Sequence, residues 1–210
     1  MQLSSTSFAD GERIPGDFAF CLPDPAHHVC LGRNRNPQLT WSDAPAGSKS
    51  FVVLCHDPDV PSRGDDVNQE GRTVPASLPR VDFFHWVLVD LPATLNSIGE
   101  GEFSHTVTPR GKAGPSAAHG ARQGVNNYTD WFANDHDMSG DYFGYDGPCP
   151  PWNDAIVHRY VFTVYALDIA TLPVEGRFNG ADVMKAMQGH ILAQASVTGL
   201  YSLNPELVQK

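Results

Sequence analysis

Arg159-Tyr160-Val161-Phe162-Thr163-Val164-Tyr165-Ala166-Leu167 decides the fold, because the run is rich in aromatic and β-branched residues and scarcely alternates with polar ones. A strand with water on one face alternates apolar and polar residues, so an unbroken run predicts a central strand covered on both faces. Ser50-Phe51-Val52-Val53-Leu54-Cys55 and the stretch Phe83 to Val89 read the same way. Between such runs fall 19 Gly and 17 Pro at short intervals, the punctuation of an all-β sandwich. One helix is predicted late in the chain, capped by Asn179 and carrying Val183, Met187 and Ile191 at four-residue spacing. From Ala195 to Tyr201 the pattern returns to strand.

The 210 residues, without repeats or a linker, predict a single domain spanning 1–210. Fourteen basic against 24 acidic residues give a net charge of −10, so the long-range field repels nucleic acid and anionic lipid surfaces. Any bound anion needs a local site. No segment approaches the roughly 18 apolar residues of a membrane span, and the first residues carry no basic stretch followed by an apolar run; a soluble, cytoplasmic protein is expected. Cys21, Cys30, Cys55 and Cys149 form no C-x-x-C pair, so reduced thiols are expected and no metal site or cofactor is assigned.

Three distant segments place ionisable groups where buried strands begin or end: His56-Asp57-Pro58-Asp59-Val60-Pro61-Ser62, Phe84-His85-Trp86, and Gly147-Pro148-Cys149-Pro150-Pro151 followed by His158-Arg159-Tyr160. Loops held by a rigid sheet are where binding side chains gather. Two imidazoles can donate hydrogen bonds or positive charge to an anion while a carboxylate fixes a tautomer. His85 and His158 are the expected donors, with Asp57 or Asp59 as the orienting group. Each proline in Asp57-Pro58-Asp59-Val60-Pro61 fixes φ and removes a donor, predicting a stiff bend after the strand.

The order D-P-D-x-P-S, F-x-H-W-V-L-V, G-P-C-P-P…H-R-Y-x-F-x-V-Y-A-L and G-H-I-L-A-x-A-x-x-T-G-x-Y closely resembles the phosphatidylethanolamine-binding protein family, from about Phe8 to Tyr201. Pro37-Gln38-Leu39-Thr40-Trp41 and Ala44-Pro45-Ala46-Gly47 are similar to its bacterial YbhB/YbcL, or Raf kinase inhibitor-like, branch. The resemblance implies a mainly β fold: a sandwich with a large central antiparallel sheet, a second small sheet and short peripheral helices. It also implies a pocket for phosphate, a carboxylate or a phospholipid head group. Carried over residue by residue, that pocket falls on Asp57, Pro61, His85, Gly147, Pro148, His158 and Tyr160.

The chain departs from that pattern between Thr129 and Gly144, where an aromatic insertion replaces a short link; it is expected to lid the pocket, form a homodimer contact or cover apolar surface. The leading function is therefore small-anion binding without catalysis and with a regulatory role in view. The alternatives are a hydrolase using the Asp, His and Tyr groups, or a kinase-inhibitor-like protein-interaction module. No G-x-S-x-G elbow, H-E-x-x-H helix or P-loop is present to favour the hydrolase.

Overall fold

The computed structural model describes residues 1–208. Its strands are β1 (Gln2–Ser4), β2 (Cys21–Asp24), β3 (His28–Leu31), β4 (Leu39–Ser42), β5 (Ser50–Pro61), β6 (Arg80–Pro92), β7 (Ser97–Ile98), β8 (Gly111–Lys112), β9 (Arg122–Gln123), β10 (Asp141–Tyr142), β11 (His158–Leu167) and β12 (Ile191–Tyr201). Three short helices accompany them: α1 (Tyr128–Trp131), α2 (Gly180–Ala186) and α3 (Pro205–Val208). The large sheet runs β12-β11-β5-β6-β9, antiparallel throughout. A three-stranded sheet of β1, β4 and β7 forms the second layer.

The two apolar runs without alternation, β5 and β11, are the central strands. Phe51, Val53, Cys55, Phe162 and Val164 face the small sheet, packing with Leu39, Trp41 and Ile98. Val52, Leu54, Tyr165 and Leu167 face the other way, under Val183 and Met187 of the α2 segment. Both faces are dry, which is why neither run could afford polar alternation.

Asn179 caps α2 as expected: its side chain accepts from the Asp182 amide at 3.0 Å, and the Asp182 carboxylate accepts from the Asn179 amide at 3.0 Å. Ile191 does not belong to that helix. It opens β12 and is exposed, because Gly189 at φ 83° turns the chain out of the helix first.

Two other expectations change. Asp57-Pro58-Asp59-Val60-Pro61 does not end β5; the strand continues to Pro61 and absorbs the prolines as a register shift between Asp57 and Val60. Cys21 and Cys149 are not reduced thiols but a disulfide joining β2 to the Gly147–Pro151 turn, with Cα atoms 4.9 Å apart. Cys30 and Cys55 stay free. No described helix is long and apolar enough to cross a membrane.

Candidate functional site

β5, β6 and β11 are adjacent, and their ends bring Asp57, His85, His158 and Tyr160 onto one cavity of about 480 Å³. A bulge decides this for His85. Strand alternation would set His85 on the face opposite Trp86, but the register jumps from the Cys55–Trp86 pair to the His56–Phe84 pair. Two consecutive residues, His85 and Trp86, then share a face, and the His85 ring lies 5.0 Å from Tyr160 and 5.5 Å from Tyr128. Phe84 turns instead to the opposite core, with His56 beside it at 6.0 Å.

His158 is fully buried, and both of its ring nitrogens meet carboxylates: Nδ1 lies 2.7 Å from Asp57 Oδ2, and Nε2 lies 3.1 Å from Asp154 Oδ2. Burial pushes its pKa down, but the hydrogen bonds it donates to Asp154 and Asp57, with their charges, outweigh that and raise it to about 9. His158 is therefore an imidazolium with both N–H groups committed. The sequence reading makes His158 a donor to a ligand; in this structure both of its ring nitrogens meet carboxylates of the protein instead. Arg80 completes the network, giving Nη1 to Asp154 Oδ2 at 2.6 Å and Nη2 to Oδ1 at 3.0 Å. Against the cost of burial, His158 and Arg80 hold the Asp154 carboxyl below its usual range.

The open choice between Asp57 and Asp59 resolves by position. Asp57 orients His158 and accepts the Asp59 amide at 2.8 Å. Asp59 points away to Arg159, which meets it through Nε at 2.8 Å and Nη2 at 2.7 Å.

His85 is also buried, but its Nδ1 faces a backbone carbonyl, that of Asp146, at 2.8 Å. Nδ1 therefore carries the proton, and the other nitrogen is left for the cavity. Burial lowers the His85 pKa despite Asp57 nearby, so the resting ring is neutral. Tyr160, 1% exposed, has a hydroxyl with no hydrogen-bond partner among the described residues. Burial, then the Asp57 charge and a long approach to the Asp57 carboxylate, raise its pKa well above the usual tyrosine value, so it stays a protonated donor with no partner inside 3.5 Å. An orphaned buried hydroxyl on a cavity wall asks for a ligand or a water.

Pro61 lines the cavity, whereas Gly147 and Pro148 do not; they lie behind its wall, and Cys149, Pro150 and Pro151 form the surface. Gly147 is packed so closely that a Cβ there would sit 2.0 Å from the Phe18 carbonyl oxygen. Its amide donates to Asn34 Oδ1 at 2.7 Å, and its carbonyl accepts the Tyr128 hydroxyl at 2.8 Å. The Pro148 carbonyl takes the amides of Phe20 and Cys21. The turn is thus scaffold.

Sequence reasoning missed Asp154, Arg80, Tyr128 and Asp146. Asp154 stands four residues before His158, which is the one local signal it offered. Asp146 anchors His85 from below: it is buried, accepts the side-chain amides of Asn34 and Asn126 at 2.7 Å each, and pairs with Lys112 at 3.1 Å. The insertion folds as most of α1, a loop and β10, and its Trp131, Phe132 and Met138 line the cavity. Phe132 stacks on Tyr128 at 5.5 Å, fixing that wall to the inner end. Among the described residues no three His, Cys, Asp or Glu side chains are placed to hold a metal.

A family model for phosphatidylethanolamine-binding proteins matches residues 4–202. The chain belongs to that family. This phosphatidylethanolamine-binding protein family member is 34% identical to UPF0098 protein YbhB of Escherichia coli (strain K12), over 96% of this chain and all of that protein. It is 29% identical to YbcL of the same strain, over 96% of this chain and 87% of the relative. The crystal structure of Escherichia coli YbcL, described as a new member of the mammalian PEBP family, has a TM-score of 0.68 at 28% identity, covering 96% and 97% of the two chains. The homologue CT736 from Chlamydia trachomatis gives 0.64 at 29%, covering 96% of each.

Proposed function

We propose that the cavity binds a small anion, a phosphate or carboxylate group such as a phospholipid head group carries, with Tyr160 and His85 as its donors and no bond made or broken. The buried Tyr160 hydroxyl without a partner carries this reading. Around it every full charge is already paired, so the free hydrogen-bonding capacity of the inner end belongs to Tyr160 and the second nitrogen of His85. A neutral imidazole offers that nitrogen as an acceptor, so it donates to an anion only after taking up a proton.

Binding therefore consumes a proton, and affinity rises as pH falls below about 6.5, the ordinary histidine value, because burial lowers the pKa of the free protein's His85. Calorimetric titration with sulfate from pH 5 to 8 tests this, since sulfate does not itself titrate there. Affinity that is flat across the range removes His85 as a charged donor, and the absence of binding at pH 5 by either sulfate or phosphate removes the function.

The Cys21–Cys149 bond bears on the compartment. Disulfides persist in oxidising surroundings and are rare in the cytoplasm, so the pairing supports an oxidising location over the cytoplasmic one expected from the sequence. Thiol labelling of protein taken directly from its host reads two reactive-or-unmasked cysteines on this view, and four if the cytoplasm is home.

A further inference from the structure

The inner end of the cavity is polar, whereas its outer part is mostly apolar, with Ser62, Arg63 and Asn68 as the polar side chains on that lining. Leu31 on β3 is 57% exposed and Trp131 at the end of α1 is 53% exposed, although both line the cavity. Val29, Phe83, Tyr128, Phe132 and Met138 line the same cavity, with Tyr128 packed against both Phe83 and Phe132. Large apolar side chains held in water at a cavity mouth mark a binding surface. A free inorganic anion has no apolar surface with which to cover them.

Size limits what can reach both ends. Cavities of roughly 300–1,000 Å³ enclose molecules of drug size, and this one is about 480 Å³. A two-chain phospholipid would leave most of its chains outside, and a protein with net charge −10 is repelled by the anionic bilayer that would otherwise shelter them.

We propose that the ligand is a small amphiphile: one phosphate or carboxylate head bearing a single alkyl chain or aromatic ring, its head at His85 and Tyr160 and its apolar part against Leu31, Phe132, Met138 and Trp131. This rests on the anion reading above and adds the substituent. The insertion then supplies three of these four apolar side chains, Trp131, Phe132 and Met138.

The test compares inorganic phosphate, octyl phosphate below its micellar concentration, phenyl phosphate and octanol by calorimetry at pH 5.5, with sedimentation against vesicles of phosphatidylethanolamine and phosphatidylglycerol. Octyl or phenyl phosphate is expected to bind at least about tenfold more tightly than inorganic phosphate, which the burial of about two methylenes supplies. Whichever of the two binds more tightly tells chain from ring. In the paired variant Leu31→Ser, Trp131→Ala, whose side chains are exposed and do not hold the core, that ratio is expected to fall toward one. Tyr160→Phe is expected to weaken every phosphate and leave the ratio standing. Equal affinities for all phosphates, a ratio untouched by the paired variant, octanol binding as tightly as octyl phosphate, or co-sedimentation with vesicles would each overturn the amphiphile while inorganic phosphate still bound. If no phosphate binds at all, the anion reading falls and this one with it.

Discussion

His158 stands between two carboxylates with no exposed surface, and its charge is a term in the stability of the fold. Its pKa of about 9 in the folded chain exceeds the ordinary value of about 6.5 expected when unfolded. The stabilisation is thus complete below about pH 6.5 and is lost as pH rises through about 9, worth about 3 kcal/mol across that window. Urea denaturation at pH 6 and pH 9.5 is expected to show that loss, and His158→Gln is expected to flatten the pH dependence as well as lower stability. A wild-type curve as stable at pH 9.5 as at pH 6 would mean that the imidazolium is not what the carboxylates hold. The Tyr160 hydroxyl is the opposite case: its ring packs in the core, but the oxygen has no protein partner inside 3.5 Å. Tyr160→Phe removes an unpartnered polar atom from the interior, so we expect a melting temperature equal to or above wild type together with phosphate affinity reduced about tenfold or more, the cost of one hydrogen bond to a charged group.

At the scale of elements, β6 and the Gly147–Pro151 turn divide the work. The bulge in β6 aims His85, while the turn, by close approach to the chain at Phe18, sets the wall against which the cavity closes. Gly147→Ala drives a methyl into a backbone carbonyl that cannot swing away, so a loss of about 1–3 kcal/mol is expected. Thermal denaturation measures it, and phosphate titration of the same variant should show weaker binding because Tyr128 hangs from the Gly147 carbonyl. How much of this was legible follows from reach along the chain. The cap at Asn179, the two-faced strands and the late helix were readable because their causes lie within a few residues. Ile191 was misassigned because its four-residue spacing continues past the turn at Gly189, and spacing alone does not register a turn. His85 is a candidate from its sequence context, but the alternation of its strand carries no sign of the bulge that turns it inward.

For the whole molecule, the Cys21–Cys149 link closes a sequence separation of 128 residues, tying the β2–β3 hairpin to the far turn across the cavity. Loop-closure entropy for a span of this size amounts to about 4–5 kcal/mol in the unfolded chain, though measured effects centre nearer 2–4 kcal/mol. Cys149→Ser is expected to lower stability within that range in denaturant, and dithiothreitol is expected to do the same to the wild type but not to the variant. Equal stability with and without the reductant would show that the pair does not brace the fold.

The sequence by itself determined the sandwich, its central strands, the family and the small set of residues from which the site is drawn, since hydrophobic periodicity, turn chemistry and motif order are all properties of the chain as written. Only the tertiary structure decided what those residues do. It turned His158 from donor into buried cation by bringing Asp154 and Arg80 to it, moved Gly147 and Pro148 behind the wall, joined two cysteines and left Tyr160 without a partner. Each outcome depends on which groups meet across strands and loops far apart in sequence, and a polar side chain's role in a dry interior is set by whether its hydrogen bonds are already taken.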